Sequence, residues 1–303
     1  MHRSHRARPS LRRRPGFSLV ELLISIVLIG IIGAAVTRLL LSESRLFNIQ
    51  KARREARAVS RSSTNVLFSD LRMVNHGGSA PGSLLIASPE TLKVRVPYAF
   101  GVVCAVGSAT TVSMLAADSM VRASAAYAGY AWRSRPTSSY AYVPLGGLAA
   151  PASAANPSLC LSNATIRVDT VNGRTWQPLD LLPPAAGAQP GAPMFLYQEV
   201  MYWFAPSSAY PQAGRLGLWR QATGGTPEEL VAPFDATSGF KYYRRGVDSA
   251  DVVTATASSV PPLDSIVGVA IALNGASPTS TITKAPVRTK VTTSVFFRNR
   301  RTN

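Results

Sequence analysis

Histidine and cysteine are scarce in this chain, and their scarcity excludes most common kinds of catalytic and metal site. Of three histidines among 303 residues, His2 and His5 lie near the N-terminus, which leaves only His76 in the body. A Ser-His-Asp triad or a histidine-rich metal site would need His76, which stands beside a Gly-Gly pair as loop residues do. The two cysteines, Cys104 and Cys160, are too few for a four-thiolate zinc site. We therefore predict no catalytic residue, no metal site and no cofactor, and we expect the protein not to be an enzyme.

Acidic residues are also few, and the charge is unevenly distributed. Asp and Glu total 15 against 32 Lys and Arg, which gives a formal net charge of +17, and the apolar fraction of 46% argues against wholesale disorder. Residues 1–16 hold six arginines and no acid. A basic head that is followed directly by an apolar run is typical of a targeting segment.

The apolar run occupies residues 17–37 and contains a single charged residue, Glu21. As a helix it would be about 31 Å long, which matches the hydrocarbon core of a bilayer. The positive-inside tendency places the arginine-rich head in the cytoplasm and the remainder of the chain outside it, although further basic residues follow the run from Arg38 onward. The sequence therefore predicts a single membrane span.

Three kinds of N-terminal segment fit this arrangement. They are a secretory signal peptide cut near residues 33–35, a plain anchor, and a short basic leader cut after Gly16 with the apolar helix retained. Glu21 distinguishes them, because a carboxylate at the bilayer centre costs about 2.5–3.5 kcal/mol and contributes nothing to a signal peptide or an anchor. Cutting between Gly16 and Phe17 would create an α-amine four residues before Glu21. That amine, on the same or a neighbouring subunit, would neutralise the carboxylate in a low-dielectric setting, so we favour the third interpretation.

Residues 14–23, RPGFSLVELL, resemble the N-terminal signal of type IV pilins and type II secretion pseudopilins. The resemblance implies that a prepilin peptidase cuts between Gly16 and Phe17, that Phe17 is N-methylated, and that Glu21 guides assembly. It is specific although it covers only the N-terminal segment, because the glycine, the aromatic residue and the single glutamate fall at fixed spacing. The implied partners are other pilin or pseudopilin subunits, the prepilin peptidase/methyltransferase and lipid of the inner membrane.

Residues 38–76 contain neither proline nor glycine, and they predict that the helix continues. A stripe of apolar or small residues recurs at steps of three and four: Ile49, Ala52, Ala56, Val59, Ser63, Val66, Leu67, Leu71 and Val74. Asn-His-Gly-Gly and then Pro-Gly form a strong stop signal. We predict one helix from Phe17 to about Asn75, about 88 Å long, whose front half is buried by lipid or other subunits and whose back half is buried by the following domain.

After residue 77 the apolar pattern changes to a period of two. Alternation predicts strands at 91–96, 110–115, 166–171, 195–204, 216–220 and 290–298. Pieces rich in Pro, Ala and Gly, at 144–158 and 183–193, are predicted connectors. The predicted fold class is α+β, a long N-terminal transmembrane-to-periplasmic helix packed on a mostly antiparallel β-rich globular domain. The predicted division is a leader (1–16), a transmembrane and assembly helix (17–41), its amphipathic continuation (42–76) and the β-rich domain (77–303).

A second resemblance concerns the body. Segments 199–204, 217–220, 229–234 and 240–243, with a last strand near 295–299, are spaced like strands of the larger minor subunits, the W-type minor pilins and J-type minor pseudopilins. This resemblance implies a minor subunit that is incorporated into, initiates or caps a type IV pilus or a type II secretion pseudopilus. The alternative is a solitary membrane-tethered extracytoplasmic binding module that recognises a ligand or DNA and belongs to no filament.

Cys104 and Cys160 enclose a loop of about 57 residues, and cysteines outside the cytoplasm are expected to be oxidised. We predict a disulfide between them, worth about 4 kcal/mol on the chain-entropy estimate, and two buried free thiols are the alternative.

The remaining charges leave other ligands open. Four acids lack the spacing of a calcium loop, so solvated loop carboxylates are the better interpretation: Asp235, Asp248, Asp251 and Asp264. The basic surplus suits acidic faces of neighbouring subunits, anionic lipid headgroups or nucleic acid, of which nucleic acid is not favoured.

Overall fold

The structure is a computed structural model that describes residues 18–75, 82–106, 112–116, 126–133, 140–144, 179–181, 189–209, 212–245, 250–253, 262–280 and 286–297. The chain forms two compact units, Met1–Lys51 and Ala52–Asn303. One helix, α1, runs from Leu19 to Leu71 and contributes residues to both units.

In the first unit, α1 presents apolar side chains that nothing in the described chain covers. Its most apolar 18-residue window is 0% buried and is long and apolar enough to cross a membrane. Leu19 is 76% exposed and Ile29 is 69% exposed. A continuous apolar surface of this kind is unfavourable in water and fits an apolar environment such as lipid. The predicted apolar helix is confirmed.

In the second unit, α1 is amphipathic as its spacing predicts. Its buried residues are Ala52, Ala56, Val59, Ser60, Ser63, Leu67 and Leu71. Val74 is also buried just beyond the helix, whereas Val66 is partly exposed, as is Ile49, which belongs to the first unit. The predicted stripe is therefore confirmed, with Ser60 as an additional buried member.

The prediction that the helix reaches Asn75 was wrong, because α1 ends at Leu71. The Met73 amide donates to the Asp70 carbonyl at 3.1 Å, and the Val74 amide donates to the Leu71 carbonyl at 3.2 Å. These bonds span three residues rather than four, so they tighten the chain into a turn. Beyond that turn the Asn75 carbonyl accepts a hydrogen bond from Ser83.

The described part of the second unit is otherwise built mainly from strands. They are β1 (Leu84–Ala87), β2 (Thr91–Val106), β3 (Val112–Ala116), β4 (Gly129–Arg133), β5 (Tyr140–Pro144), β6 (Leu179–Leu181), β7 (Pro193–Pro206), β8 (Leu216–Ala222), β9 (Glu228–Phe234), β10 (Gly239–Arg245), β11 (Ala250–Val253), β12 (Ile266–Ser280) and β13 (Pro286–Phe296). A short 3₁₀ turn at Leu263–Ser265 precedes β12.

Within the described ranges these strands form one sheet of 13 strands in which every pair is antiparallel. The main path is β11-β10-β12-β9-β8-β7-β2-β3-β6. Beside this path, β1 pairs with β2, β13 pairs with β12, and the β4–β5 hairpin joins β7. The predicted α+β class with a mostly antiparallel sheet is confirmed.

The sequence located some of these strands and missed a central one. The segments 91–96, 195–204 and 216–220 fall inside β2, β7 and β8, while 110–115 and 290–298 overlap β3 and β13. The segment 166–171 lies outside the described residues. Strand β12 was missed because small and polar residues alternate with its apolar ones, which lowers its strand propensity. Pairing with β9, β10 and β13 forms the strand nonetheless.

The main core lies between α1 and the inner face of the sheet. Leu67 and Leu71 of α1 belong to one buried cluster with Tyr202, Phe240 and Ile271 from three strands. Because these side chains have at most 1% of their surface exposed, the second half of α1 is an integral part of the globular unit.

Candidate functional site

Glu21 lies in the first turn of α1, which is closed by the hydrogen bond from the Leu22 amide to the Ser18 carbonyl at 3.1 Å. Its side chain is exposed, and within the described chain no cation pairs with its carboxylate. The helix macrodipole favours an acid at this end by about 0.3–1 kcal/mol. That gain is smaller than the cost of about 2.5–3.5 kcal/mol for a carboxylate deep in a bilayer. A positive group beside the carboxylate would offset this cost, and none of the described residues supplies one.

The other polar side chains of residues 19–37 satisfy their hydrogen bonds within the helix. Ser25 Oγ donates to the Glu21 carbonyl and Thr37 Oγ1 donates to the Gly33 carbonyl, each at 2.8 Å. Hydroxyl groups bonded in this way tolerate an apolar environment. The segment is therefore left with one polar requirement, a partner for the carboxylate of Glu21.

Gly16 and Phe17, the predicted processing residues, lie outside the described residues. Gly30 and Gly33 lie in α1, where an added Cβ atom would meet nothing within 4 Å at either position. No packing within the described chain requires these two glycines. They are consistent with the ordinary use of small residues in membrane helices.

The second unit holds α1 against β12 through a close approach of two backbones. A Cβ atom at Gly275 would lie 2.2 Å from the Ala56 carbonyl oxygen and 2.6 Å from Ser60 Oγ. Ser60 Oγ accepts a hydrogen bond from the Gly275 amide at 3.1 Å and lies within donating distance, 3.1 Å, of the Leu273 carbonyl. Only glycine fits at position 275, and the Ser60 hydroxyl replaces hydrogen bonds that the two backbones cannot make directly.

A polar network fastens the end of α1 to the sheet. Asp70 Oδ2 accepts a hydrogen bond from the Tyr202 hydroxyl and lies 3.3 Å from an Arg220 guanidinium nitrogen. Arg220 also pairs with Glu228 at 3.0 Å. Burial, together with the Asp70 carboxylate, raises the pKa of Tyr202 far above its ordinary value, so its hydroxyl stays a donor. Sequence reasoning missed this network, although Asp70 is the only acid between Glu55 and Glu90.

A buried arginine joins the β4–β5 hairpin to the main sheet. Arg95 is 3% exposed, and its guanidinium lies 5.3 Å from the Tyr142 ring centre and 5.0 Å from the Tyr197 ring centre. Arg95 NH1 also donates to the Gly82 carbonyl at 3.0 Å, and Glu199 lies 3.7 Å from Nε. Burial raises the pKa of Tyr197 to about 12, and the nearby guanidinium limits that rise. These contacts compensate a buried charge and describe a structural link.

The side chains of the predicted disulfide between Cys104 and Cys160 lie outside the described part of the chain. Cys104 lies in β2, its side chain is outside the described ones, and Cys160 is outside the described residues altogether. The disulfide between them stays a prediction.

Of the four acids considered for calcium, Asp235 has partners of its own. It accepts hydrogen bonds from the Thr237 hydroxyl at 2.8 Å and the Thr237 amide at 3.1 Å, and Arg288 Nε lies 2.8 Å from Oδ2. The Thr237 hydrogen bonds, and then Arg288, lower its pKa. Asp264 is exposed in the 3₁₀ turn, and the side chains of Asp248 and Asp251 lie outside the described ones. The described residues hold no group of three or more His, Cys, Asp or Glu side chains placed to share a metal ion.

Comparison with known families identifies the N-terminal segment. Residues 11–37 match the family model described as the prokaryotic N-terminal methylation motif, the signal of type IV pilins and pseudopilins. No curated protein and no solved structure shows significant similarity to the chain. The match contains Gly16, Phe17 and Glu21, and it confirms that the chain carries this signal. The resemblance of the body to minor subunits stays a prediction.

Proposed function

We propose that this chain, which carries the type IV pilin and pseudopilin signal, is a minor subunit of a type IV pilus or a type II secretion pseudopilus. A prepilin peptidase cuts it between Gly16 and Phe17, Phe17 is N-methylated, and the retained helix enters the filament, whose assembly the subunit initiates or caps. One observation carries the proposal: within the matched methylation motif, the exposed apolar helix holds one carboxylate, Glu21, which none of the described residues pairs with.

Before assembly, lipid surrounds the apolar part of α1, with the arginine-rich leader in the cytoplasm and the β-rich body in the periplasm. After assembly, the helices of neighbouring subunits replace the lipid. The exposed apolar side chains of residues 19–47 suit both environments.

Glu21 sets the axial position of the subunit. Cleavage gives each subunit a positively charged α-amine at Phe17, and a neighbour in register brings that amine to Glu21. A subunit in the wrong register leaves the carboxylate unpaired at a cost of about 2.5–3.5 kcal/mol, which corresponds to about a hundredfold in the equilibrium constant. Correct register is therefore favoured by electrostatics, while the apolar contacts alone permit sliding.

The first experiment measures the mass of the intact protein isolated from its native host. We expect a chain that begins at N-methylated Phe17, and we expect Gly16→Ala to leave the leader attached. A chain that begins near Ala35 would show that the segment is a removed signal peptide and would refute the proposal.

The second experiment measures the amount of the chain in purified filaments. We expect Glu21→Gln to leave membrane insertion intact and to reduce incorporation at least tenfold. Glu43→Gln, which removes the same charge from another exposed site on α1, is the matched control and should have little effect. A solitary membrane-tethered module would be absent from filaments whatever residue stands at position 21. A minor subunit should also be much less abundant than the major one.

A further inference from the structure

An arginine face on α1, made of Arg53, Arg54, Arg57 and Arg61, is the largest feature that the proposed function leaves unexplained. At 100° per residue these four side chains fall within an arc of about 100° of the helix. All four are exposed. Within the described residues none of them has an ion-pair or hydrogen-bond partner.

The arginine face is separate from the face that packs on the sheet. The buried residues Ala52, Ala56, Ser60 and Ser63 lie on an adjacent arc that contacts β12. The body therefore occupies one side of this part of α1 and leaves the arginine face open to other molecules.

The composition of this side of the helix favours a protein partner. All four cations are arginines, which are enriched in protein interfaces where lysines are depleted, and which bind carboxylates in a bidentate manner. Phe68 lies on the same side of the helix, where it is half-buried against the main core cluster, and it has the Arg72 guanidinium 4.9 Å from its ring centre. A cationic surface that includes an aromatic ring suits an acidic protein surface.

The described part of a second copy of this chain offers no cluster of acidic side chains that would form such a surface. Some of its carboxylates are paired with its own cations, and others, such as Glu21 and Glu43, are exposed singly on α1. Asp70 and Glu228 pair with Arg220, Glu199 pairs with Lys93, and Asp235 pairs with Arg288. Two arginine faces placed against each other would repel.

We propose that the arginine face binds an acidic surface on a different filament subunit, so that this chain stands beside an unlike neighbour rather than beside a copy of itself. The inference rests on the proposed filament function and names the partner within it. It also predicts that such a subunit is used sparingly, because a run of identical copies would bring the arginine faces close together.

The test begins with charge reversal in the full-length chain expressed in its native host. We expect the double variant Arg53→Glu/Arg57→Glu to be inserted and processed normally and to be at least tenfold less abundant in filaments. The matched control is Lys241→Glu/Lys290→Glu, which makes the same change of charge at exposed positions of the sheet. The control should stay within twofold of wild type. Thermal unfolding should differ little between the two variants, because the replaced arginines are exposed and have no ion-pair partner among the described residues.

A photo-crosslinking residue at position 57 then identifies the neighbour. We expect a covalent product with another chain that bears the same N-terminal signal, at a segment rich in Asp and Glu. Replacing those acids by Lys should restore incorporation of Arg53→Glu/Arg57→Glu. A product with a second copy of this chain, with lipid or with nucleic acid overturns the inference, as does the lack of any product.

These results separate the inference from the proposed function. If wild type is abundant in filaments and Arg53→Glu/Arg57→Glu is equally abundant, the inference fails and the filament function stands. If wild type is unprocessed or absent from filaments, both fail, and Glu21→Gln will then have no effect either.

Discussion

Replacing Gly275 by alanine is the most direct test of how α1 is held against the sheet. The new Cβ atom would lie 2.2 Å from the Ala56 carbonyl oxygen, whereas real Cβ atoms essentially never approach closer than 3.0 Å. The helix or β12 must therefore move by about 0.8 Å at this point. Such a shift also strains the hydrogen bonds of Ser60 to the Gly275 amide and the Leu273 carbonyl.

The expected cost follows from three contributions. Overpacking a tight contact costs about 1–3 kcal/mol, and each weakened hydrogen bond costs up to about 0.5–1.5 kcal/mol. Against these, replacing glycine lowers the entropy of the unfolded chain and returns about 0.4–1 kcal/mol. We expect a net loss of about 2–3 kcal/mol in the free energy of unfolding, which lowers Tm by about 4–12 °C for a unit of this size.

The assay is thermal and denaturant unfolding of the detergent-solubilised full-length protein. Gly217→Ala in β8 is the matched control, because there the added Cβ would lie 3.1 Å from Glu229 Oε1, at the end of a side chain, rather than 2.2 Å from a backbone carbonyl oxygen. If Gly275→Ala changed Tm no more than Gly217→Ala does, the close approach of α1 to β12 would be refuted.

Two further perturbations test other contacts. Asp70→Ala removes the partner of the buried Tyr202 hydroxyl and one partner of Arg220. We therefore expect denaturant unfolding to show a loss of about 1–3 kcal/mol in the free energy of unfolding, and a smaller loss for Asp70→Asn. Equal stability of wild type and the two variants would contradict the network. The lowered pKa of Asp235 means that the hydrogen bonds it accepts from Thr237, together with its ion pair with Arg288, stabilise the fold above the unfolded pKa of about 3.9. This contribution is lost as the pH falls through the lower folded value. The stability advantage of wild type over Asp235→Asn should therefore shrink on acidification, and an advantage that grew instead would contradict this assignment.

The N-terminal segment could be interpreted from the sequence because its determinants are local. A glycine, an aromatic residue and one glutamate at fixed spacing in an apolar run form a signal that an enzyme reads along the chain, and the motif match at residues 11–37 confirms it. The amphipathic half of α1 was also predictable, because the residues on the buried face of a helix recur at steps of three and four, and this spacing is visible in the sequence. The same reasoning located β2, β7 and β8, in which apolar and polar residues alternate.

The contacts that hold the globular unit together depend on residues far apart in the chain, and only the tertiary structure shows them. Strand β12 contains Gly268, Ala270 and Ala272, whose small side chains gave no strand signal, and its place is decided by neighbouring strands and by α1. Gly275 is required by a carbonyl oxygen of Ala56, about two hundred residues away in sequence. The tertiary structure was also needed to show that no described carboxylate forms an ion pair with the arginine face of α1. Local periodicity sets which face of an element is apolar, whereas pairing and close approach depend on what the rest of the chain brings to that face.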